Sequence, residues 1–238
     1  FLTADDTRSR MKRLLTKVVI EWRSISITAV SPSAAETVHR GLGIKAEVIP
    51  NGVDISGYEN SSVKPLKVLG AAGRLDTEKN YLTLVDAFAA IGRSDITLVI
   101  AGDGSQKSSL EQKVKSLGLD KNVELQDYQK DMKSFYRKID GFVCSSKYEG
   151  FGLVVVEAIL AGKPVLTTNV GVAKDFPDLN FEKMSFDAKS MAEQINVWLG
   201  KSVNELQRQS DENVRAAKSM FDIKDVYSKY HKTLWQEQ

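Results

Sequence analysis

The sequence predicts an α/β fold, a parallel sheet with helices on both faces, from three observations. Short, almost unbroken apolar runs recur from Lys64 onward, amphipathic stretches lie between them, and glycines punctuate the ends of the runs. Strands buried on both faces read as continuous apolar runs, and alternation of strand with helix is how parallel neighbours are connected.

Taken in order, residues 8–23 place Met11, Leu14, Leu15, Val18, Val19 and Trp22 on one helical face. Arg8, Arg10, Lys12, Arg13, Lys17 and Arg23 occupy the remainder. Such a stripe either packs on a core or lays a basic amphipathic helix on an anionic membrane surface. A short β-like run, Ile25–Val30, comes next. A helix is expected from Ser31-Pro32-Ser33, with Ser33 and Glu36 at capping-box spacing. Ile49–Asp54 (IPNGVD) supplies a Pro-Asn-Gly turn and the linker. Beyond it, strands are predicted at Lys67–Ala71, Thr97–Ala101, Val123–Leu125, Gly141–Ser145 and Pro164–Thr168. Helices are predicted at Tyr81–Ile91, Ser105–Leu117, Met132–Lys138 and Gly152–Ala161. Gly73, Gly102, Gly104 and Gly171 fall just after strands, at the carboxyl ends where such sheets bind ligands. From Ala188 to Gln238 the pattern is almost wholly helical. The strand and helices before IPNGVD cannot bury a core alone, so they complete the main domain or a partner domain is missing.

Composition excludes several classes. A hydrophobic fraction of 42% with 27% charged residues marks a globular chain and not a disordered one. The formal charge of +2 gives no bulk reason to expect nucleic acid. Cys144 is the sole cysteine, so no disulfide framework exists; within the run GFVCSS it reads as a buried thiol in a reducing compartment. No apolar run approaches the roughly 18 residues of a membrane span, and polar residues 1–10 show no signal-peptide pattern. Asn60-Ser61-Ser62 is a chance sequon match. A soluble, cytoplasmic protein is expected. His39 and His231 are read as helix-surface residues, and no cluster has zinc-ligand spacing.

The segment Ser145–Gly162, SSKYEGFGLVVVEAILAG, is the richest in chemistry. A strand ends near Ser145 and a helix begins around Gly152. Free N–H groups at that helix start, together with its dipole, suit an anion such as phosphate. Gly150 and Gly152 carry no side chain to block its approach. Glu149 and Glu157 flank this start, either as a solvated pair or as acceptors for sugar hydroxyls on either side of the phosphate.

This segment resembles the E-x7-E motif of the retaining GT-B glycosyltransferases of family four, with Glu149 and Glu157 as its carboxylates. GRLDTEKNYLTLVDAF (Gly73–Phe88) resembles the same family's G-R-x-x-x-x-K-N/G block. AGDGSQKSSLE, VELQDYQKDMKSFYRKID and AGKPVLTTNVG follow in the family's order, and the similarity covers residues 28–236. The resemblance implies a Rossmann-like carboxyl-terminal half of a GT-B fold, with its amino-terminal domain largely absent. Residues 1–50 would be the remnant of that acceptor-side domain and its linker, and residues 51–238 the nucleotide-sugar-binding domain. It implies transfer of a hexose or related sugar from UDP- or GDP-sugar, with retention and without a cofactor or metal, to a glycan or lipid-linked acceptor. The chain alone is expected to be inactive without the missing domain. Arg74 and Lys79 would bind the diphosphate, and Glu149 would meet the transferred sugar. Gly150, Phe151, Gly152 and Leu153 would line that site, the last three through main-chain donors. Glu157 would take the ribose hydroxyls. Tyr128 and Gln129 would read the base, although Tyr128 equally fits a core aromatic. The alternative is a non-catalytic nucleotide-sugar-binding module, or one subunit of a split enzyme. Contact with the inner face of the cell membrane follows if the basic helix lies on lipid.

Three departures from the family pattern stand out: the missing upstream half, Asp127 where a glycine is common, and NVGVAKDF without a second glycine.

Overall fold

The computed structural model describes residues 15–20, 25–58 and 62–234. The chain divides into two compact units. The larger runs from Ile55 to Ser219, and the smaller joins chain up to Asp54 with chain from Met220 onward.

In the smaller unit, residues 15–20 are helical, and Leu15, Val18 and Val19 are exposed. The other members of the predicted stripe, Met11, Leu14 and Trp22, lie outside the described residues, as do Arg8, Arg10, Lys12, Arg13 and Arg23, and Asn60 and Ser61 of the sequon. Strand β1 (Thr28–Ala29) pairs in parallel with β2 (Glu47–Val48), and α1 (Pro32–Leu42) connects them. The helix is capped by Ser31 and not by Ser33. The Ser31 side chain accepts from Ala34 N–H at 3.2 Å, Pro32 takes the first helical position, and Glu36 pairs with Arg40 instead of closing a capping box.

The larger unit is built on six parallel strands in the order β5-β4-β3-β6-β7-β8. They are β3 (Val68–Ala72), β4 (Thr97–Ala101), β5 (Val123–Gln126), β6 (Gly141–Cys144), β7 (Val165–Thr168) and β8 (Glu182–Met184). The predicted strands are all present with ends shifted by at most one residue. β8 was not predicted, because its three residues Glu182, Lys183 and Met184 carry no apolar run. Between strands lie α2 (Tyr81–Ile91), α3 (Lys107–Ser116), α4 (Met132–Lys138), α5 (Leu153–Leu160) and α6 (Val172–Asp175), followed by α7 (Ala188–Leu199) and α8 (Val203–Phe221).

Alternation along each strand feeds two cores. Leu69, Ala71, Leu98, Ile100, Val143 and Leu166 join α2, α3 and α7 in one buried cluster, through Leu84, Phe88, Leu110, Ile195 and Trp198. On the opposite face Gly70 lies under Phe135 and Ile139, and Phe142 meets the Tyr136 ring edge-on at 5.9 Å. Each fully buried large side chain contributes roughly 1.5–3 kcal/mol relative to exposure. Cys144 is buried at the end of β6, as its apolar run implied.

After α8 the chain returns to the smaller unit as α9 (Ile223–Leu234). IPNGVD does not turn there. Val53 N–H donates to Phe221 O at 2.8 Å, and Ile223 N–H donates to Val53 O at 3.1 Å. A Cβ on Gly52 would lie 2.9 Å from Ile223 Cα, so this glycine serves a close backbone approach. His39 and His231 are exposed on α1 and α9.

Gly141 tests the packing of the first core. A Cβ there would stand 2.6 Å from Trp198 Cη2 and 2.9 Å from Leu66 Cδ2. Gly141→Ala is expected to destabilise the chain by about 1–3 kcal/mol by overpacking, read as a lowered urea midpoint with an unchanged m-value.

Candidate functional site

The order of the sheet places its topological switch point between β3 and β6, where crevices form at the carboxyl ends of strands. Both loops facing this crevice carry predicted site residues. After β3 the chain runs through Gly73 and Arg74 into a 3-10 turn, Thr77–Lys79, and then Asn80 at φ 59°. Asparagine tolerates this left-handed conformation, and Asn80 holds it with Nδ2 donating to Phe186 O at 3.1 Å. The Lys-Asn pair is thus a backbone requirement that presents Lys79.

Lys79 Nζ reaches Glu149 Oε1 at 2.7 Å across the switch point, both side chains being largely buried. The same oxygen accepts from Ser146 Oγ at 2.7 Å. Ser146 is itself fixed, since Thr168 Oγ1 donates to its carbonyl at 2.6 Å. Two further bonds tie the loops: Ser145 Oγ to Lys79 O, and Lys147 N–H to Glu78 O, each 2.7 Å. The Cys144 thiol also donates to Oε1 at 3.9 Å, so Oε1 has three donors and Oε2 is left as the oxygen to offer a ligand.

Beside this pair, α5 starts at Gly152 with φ 95° and no side-chain cap. Val155 and Val156 N–H donate to Gly152 O at 2.9 and 3.4 Å, so the N–H groups of Leu153 and Val154 are those without a partner within the helix. Gly150 is exposed, with nothing within 4 Å of the position a Cβ would take, whereas Phe151 is buried against Phe176. Leu153 is exposed. Gly171 belongs to packing, because a Cβ there would lie 2.4 Å from Phe151 O.

Glu157, one turn along α5, accepts from Tyr136 Oη at 3.1 Å. Burial raises its pKa above the ordinary 4.5, opposed by the Tyr136 hydrogen bond and the Lys133 charge. Arg74 is mostly exposed, its guanidinium 3.6 Å from Asp76. Tyr128 is 71% exposed on the loop after β5 and is not a core aromatic. Gln129 Nε2 donates to Asp127 O at 2.8 Å. Asp127, the departure from the family's glycine, pairs with Lys107; this hydrogen bond lowers the carboxyl pKa and raises that of the amine. β5 is two strands from β3, about 10 Å. The structure thus joins Lys79 to Glu149 directly and sets Tyr128 and Gln129 further along the same sheet end. Ser146 and Tyr136, which fix the two glutamates, were not predicted: a serine and an aromatic in apolar surroundings carry no local signal. Among the described residues, no three His, Cys, Asp or Glu side chains gather as for a metal ion.

The family model for glycosyl transferases group 1 matches residues 58–217. Mannosylfructose-phosphate synthase of Agrobacterium fabrum is 28% identical over 183 residues, 66% of this chain and 40% of that protein. A lipopolysaccharide core biosynthesis glycosyltransferase of Rhizobium meliloti is 32% identical, over 60% of this chain and 43% of its own length. The chain spans less than half the length of these curated relatives. Anabaena HepE, solved with UDP-glucose, aligns with a TM-score of 0.79 at 25% identity, over 89% of this chain and 64% of its own. The C-terminal domain of a group 1 glycosyl transferase from Francisella tularensis is matched over 100% of its length and 72% of this chain, with a TM-score of 0.61 at 23% identity.

The raised pKa of Glu157 has a consequence for stability. Below the unfolded value of about 4.5 both states are protonated and nothing is lost. As pH rises, the unfolded chain ionises first, so folding stability falls until the folded carboxyl also ionises. Glu157→Gln is therefore expected to stabilise the chain at pH 7, with the gain vanishing below pH 4.5 in thermal melts across pH.

Proposed function

The chain belongs to the group 1 glycosyl transferases, as the Rossmann-like carboxyl-terminal domain of a GT-B fold; from this we propose that it holds the nucleotide-sugar donor of a retaining glycosyltransferase. The observation that carries this reading is the Lys79–Glu149 pair across the β3/β6 switch point, beside the uncapped start of α5. A cation and free helix N–H groups converge there on the place where a leaving diphosphate develops charge. The complex of Anabaena HepE with UDP-glucose supports a uridine nucleotide sugar as donor.

In this reading Lys79 and Arg74 take the diphosphate with the α5 N-terminus, and no metal or cofactor is required. Glu149 Oε2 accepts from a hydroxyl of the sugar while Oε1 stays fixed. Glu149 is not a nucleophile: an oxygen held by Lys79 and Ser146 orients, and the departing phosphate assists attack on the same face. Glu157 accepts from the ribose hydroxyls. Tyr128 and Gln129, about 10 Å along the sheet end, flank the base. The acceptor is a glycan or glycolipid, as the named activity of the Rhizobium relative suggests, and it binds a second, acceptor-side domain. The exposed Leu15, Val18 and Val19 of the helical residues 15–20 seat the protein on the inner face of the membrane.

Calorimetric titration with UDP and GDP tests the donor site. One of the two is expected to bind selectively, and Lys79→Ala and Glu157→Ala each to weaken it by at least about tenfold, the worth of one charge-assisted hydrogen bond. No binding of either nucleotide would sink the reading. For the membrane contact, the chain should sediment with anionic vesicles at low salt and not with zwitterionic ones; replacing Leu15 and Val18 by Asp should abolish this.

A further inference from the structure

Tyr81, the first residue of α2, is 3% exposed, and its ring lies in the main core. Helical side chains lean toward the amino terminus of their helix, which carries its hydroxyl back beneath the loop after β3. A Cβ built on Gly73 would stand 3.0 Å from Tyr81 Oη and 3.3 Å from Lys79 Cε, so hydroxyl and lysine stem converge on one point beside Gly73. No described residue shares a hydrogen bond with this hydroxyl. Its oxygen is also absent from the enclosed orphan atoms of the core and so keeps contact with open space. A hydroxyl on a buried ring ordinarily finds a partner, and leaving it unmade costs on the order of 1–3 kcal/mol. A phenylalanine would fill the same core volume without that cost.

We propose that Tyr81 is a further substrate-contacting residue, whose phenolic O–H donates to the diphosphate of the bound nucleotide sugar beside Lys79. This assignment rests on the donor-site reading of Lys79 and Glu149. The chemistry favours a donor role. Burial, with the Glu149 and Asp76 carboxylates nearby, raises the pKa of this phenol, so it keeps its proton at any working pH. Such a group seeks an acceptor, and a phosphate oxygen held by Lys79 supplies one that the protein does not. A neutral donor here also adds no cation to the Lys79–Glu149 pair, which would otherwise be pulled apart.

The test is titration of wild-type chain, Tyr81→Phe and Lys79→Ala with UDP, GDP and the corresponding monophosphates. Tyr81→Phe keeps the ring, removes the unpartnered hydroxyl and is expected to melt above the wild-type temperature. It should bind the preferred diphosphate about tenfold more weakly, a charge-assisted hydrogen bond lost, and the monophosphate with unchanged affinity. If Tyr81→Phe binds the diphosphate like wild type while Lys79→Ala does not, the assignment fails and the donor site stands. Equal losses for mono- and diphosphate also overturn it. If wild type binds no nucleotide, the donor-site reading and this assignment fall together.

Discussion

The lacing of the loops at the carboxyl ends of the strands is the constraint on which the rest of the site depends. The loops after β3 and β4 are joined by Gly73 N–H to Ala101 O, Leu75 N–H to Asp103 O, and Gln106 N–H to Leu75 O, at 3.0, 2.8 and 2.8 Å. This contact is possible only because Gly102 has no side chain: a Cβ there would fall 1.9 Å from Gly73 O. Gly102-Asp103-Gly104 therefore has a reason to exist that involves no nucleotide. The β3 loop is in turn bonded to the β6 loop through Lys147 and Ser145, and the β6 loop to the chain after β7 through Thr168 and Val172. Four adjacent loops behave as one rim, and Lys79 and Glu149 are fixed because their backbones are.

Sheet order turns this rim into a crevice. Strands β4 and β5 extend to one side of β3, and β7 and β8 extend beyond β6 on the other. Helices after β3 and β6 then pack on opposite faces, the first with the Trp198 cluster and the second with the Tyr136–Phe142 layer. Their loops diverge, and the ends of β3 and β6 are left uncovered. A basic side chain from one loop and a carboxylate from the other meet in that gap, so the ion pair follows from topology as much as from residue choice.

Much of this was legible in the sequence, and the failures share a cause. Strands β3 to β7 and helices α2 to α5 were predicted because each carries its own periodicity over several residues. β8 was missed because three largely polar residues form a strand only when β7 offers its edge. IPNGVD was read as a turn from Pro-Asn-Gly chemistry, yet Gly52 accommodates Ile223 from the far end of the chain. Ser33 matched a capping box, but Pro32 fits the first helical position and hands the cap to Ser31. In the candidate site, Glu149, Lys79 and Glu157 were singled out from motif order, and the structure brings Lys79 and Glu149 together. Ser146 and Tyr136 were not, because what they do depends on glutamates 3 and 21 residues away, visible only once the sheet is assembled.

The carboxylates show how function and stability divide within one helix start. Glu149 is largely buried yet meets a cation and a serine hydroxyl, so its charge is compensated inside the fold. Among the described residues Glu157 accepts a hydrogen bond only from Tyr136, with the Lys133 charge nearby, and burial leaves its ionised form disfavoured. A fold selected only for stability would not keep a carboxyl there, since an amide or an apolar residue would pack on Tyr136 at lower cost. In the proposed donor site the residual cost would be relieved by hydroxyl donors from outside the chain, such as the two that a ribose presents side by side. Glu157 thus supports the proposed nucleotide site more directly than the ion pair does: Lys79 and Glu149 satisfy each other, whereas Glu157 has one hydrogen-bond donor among the described residues.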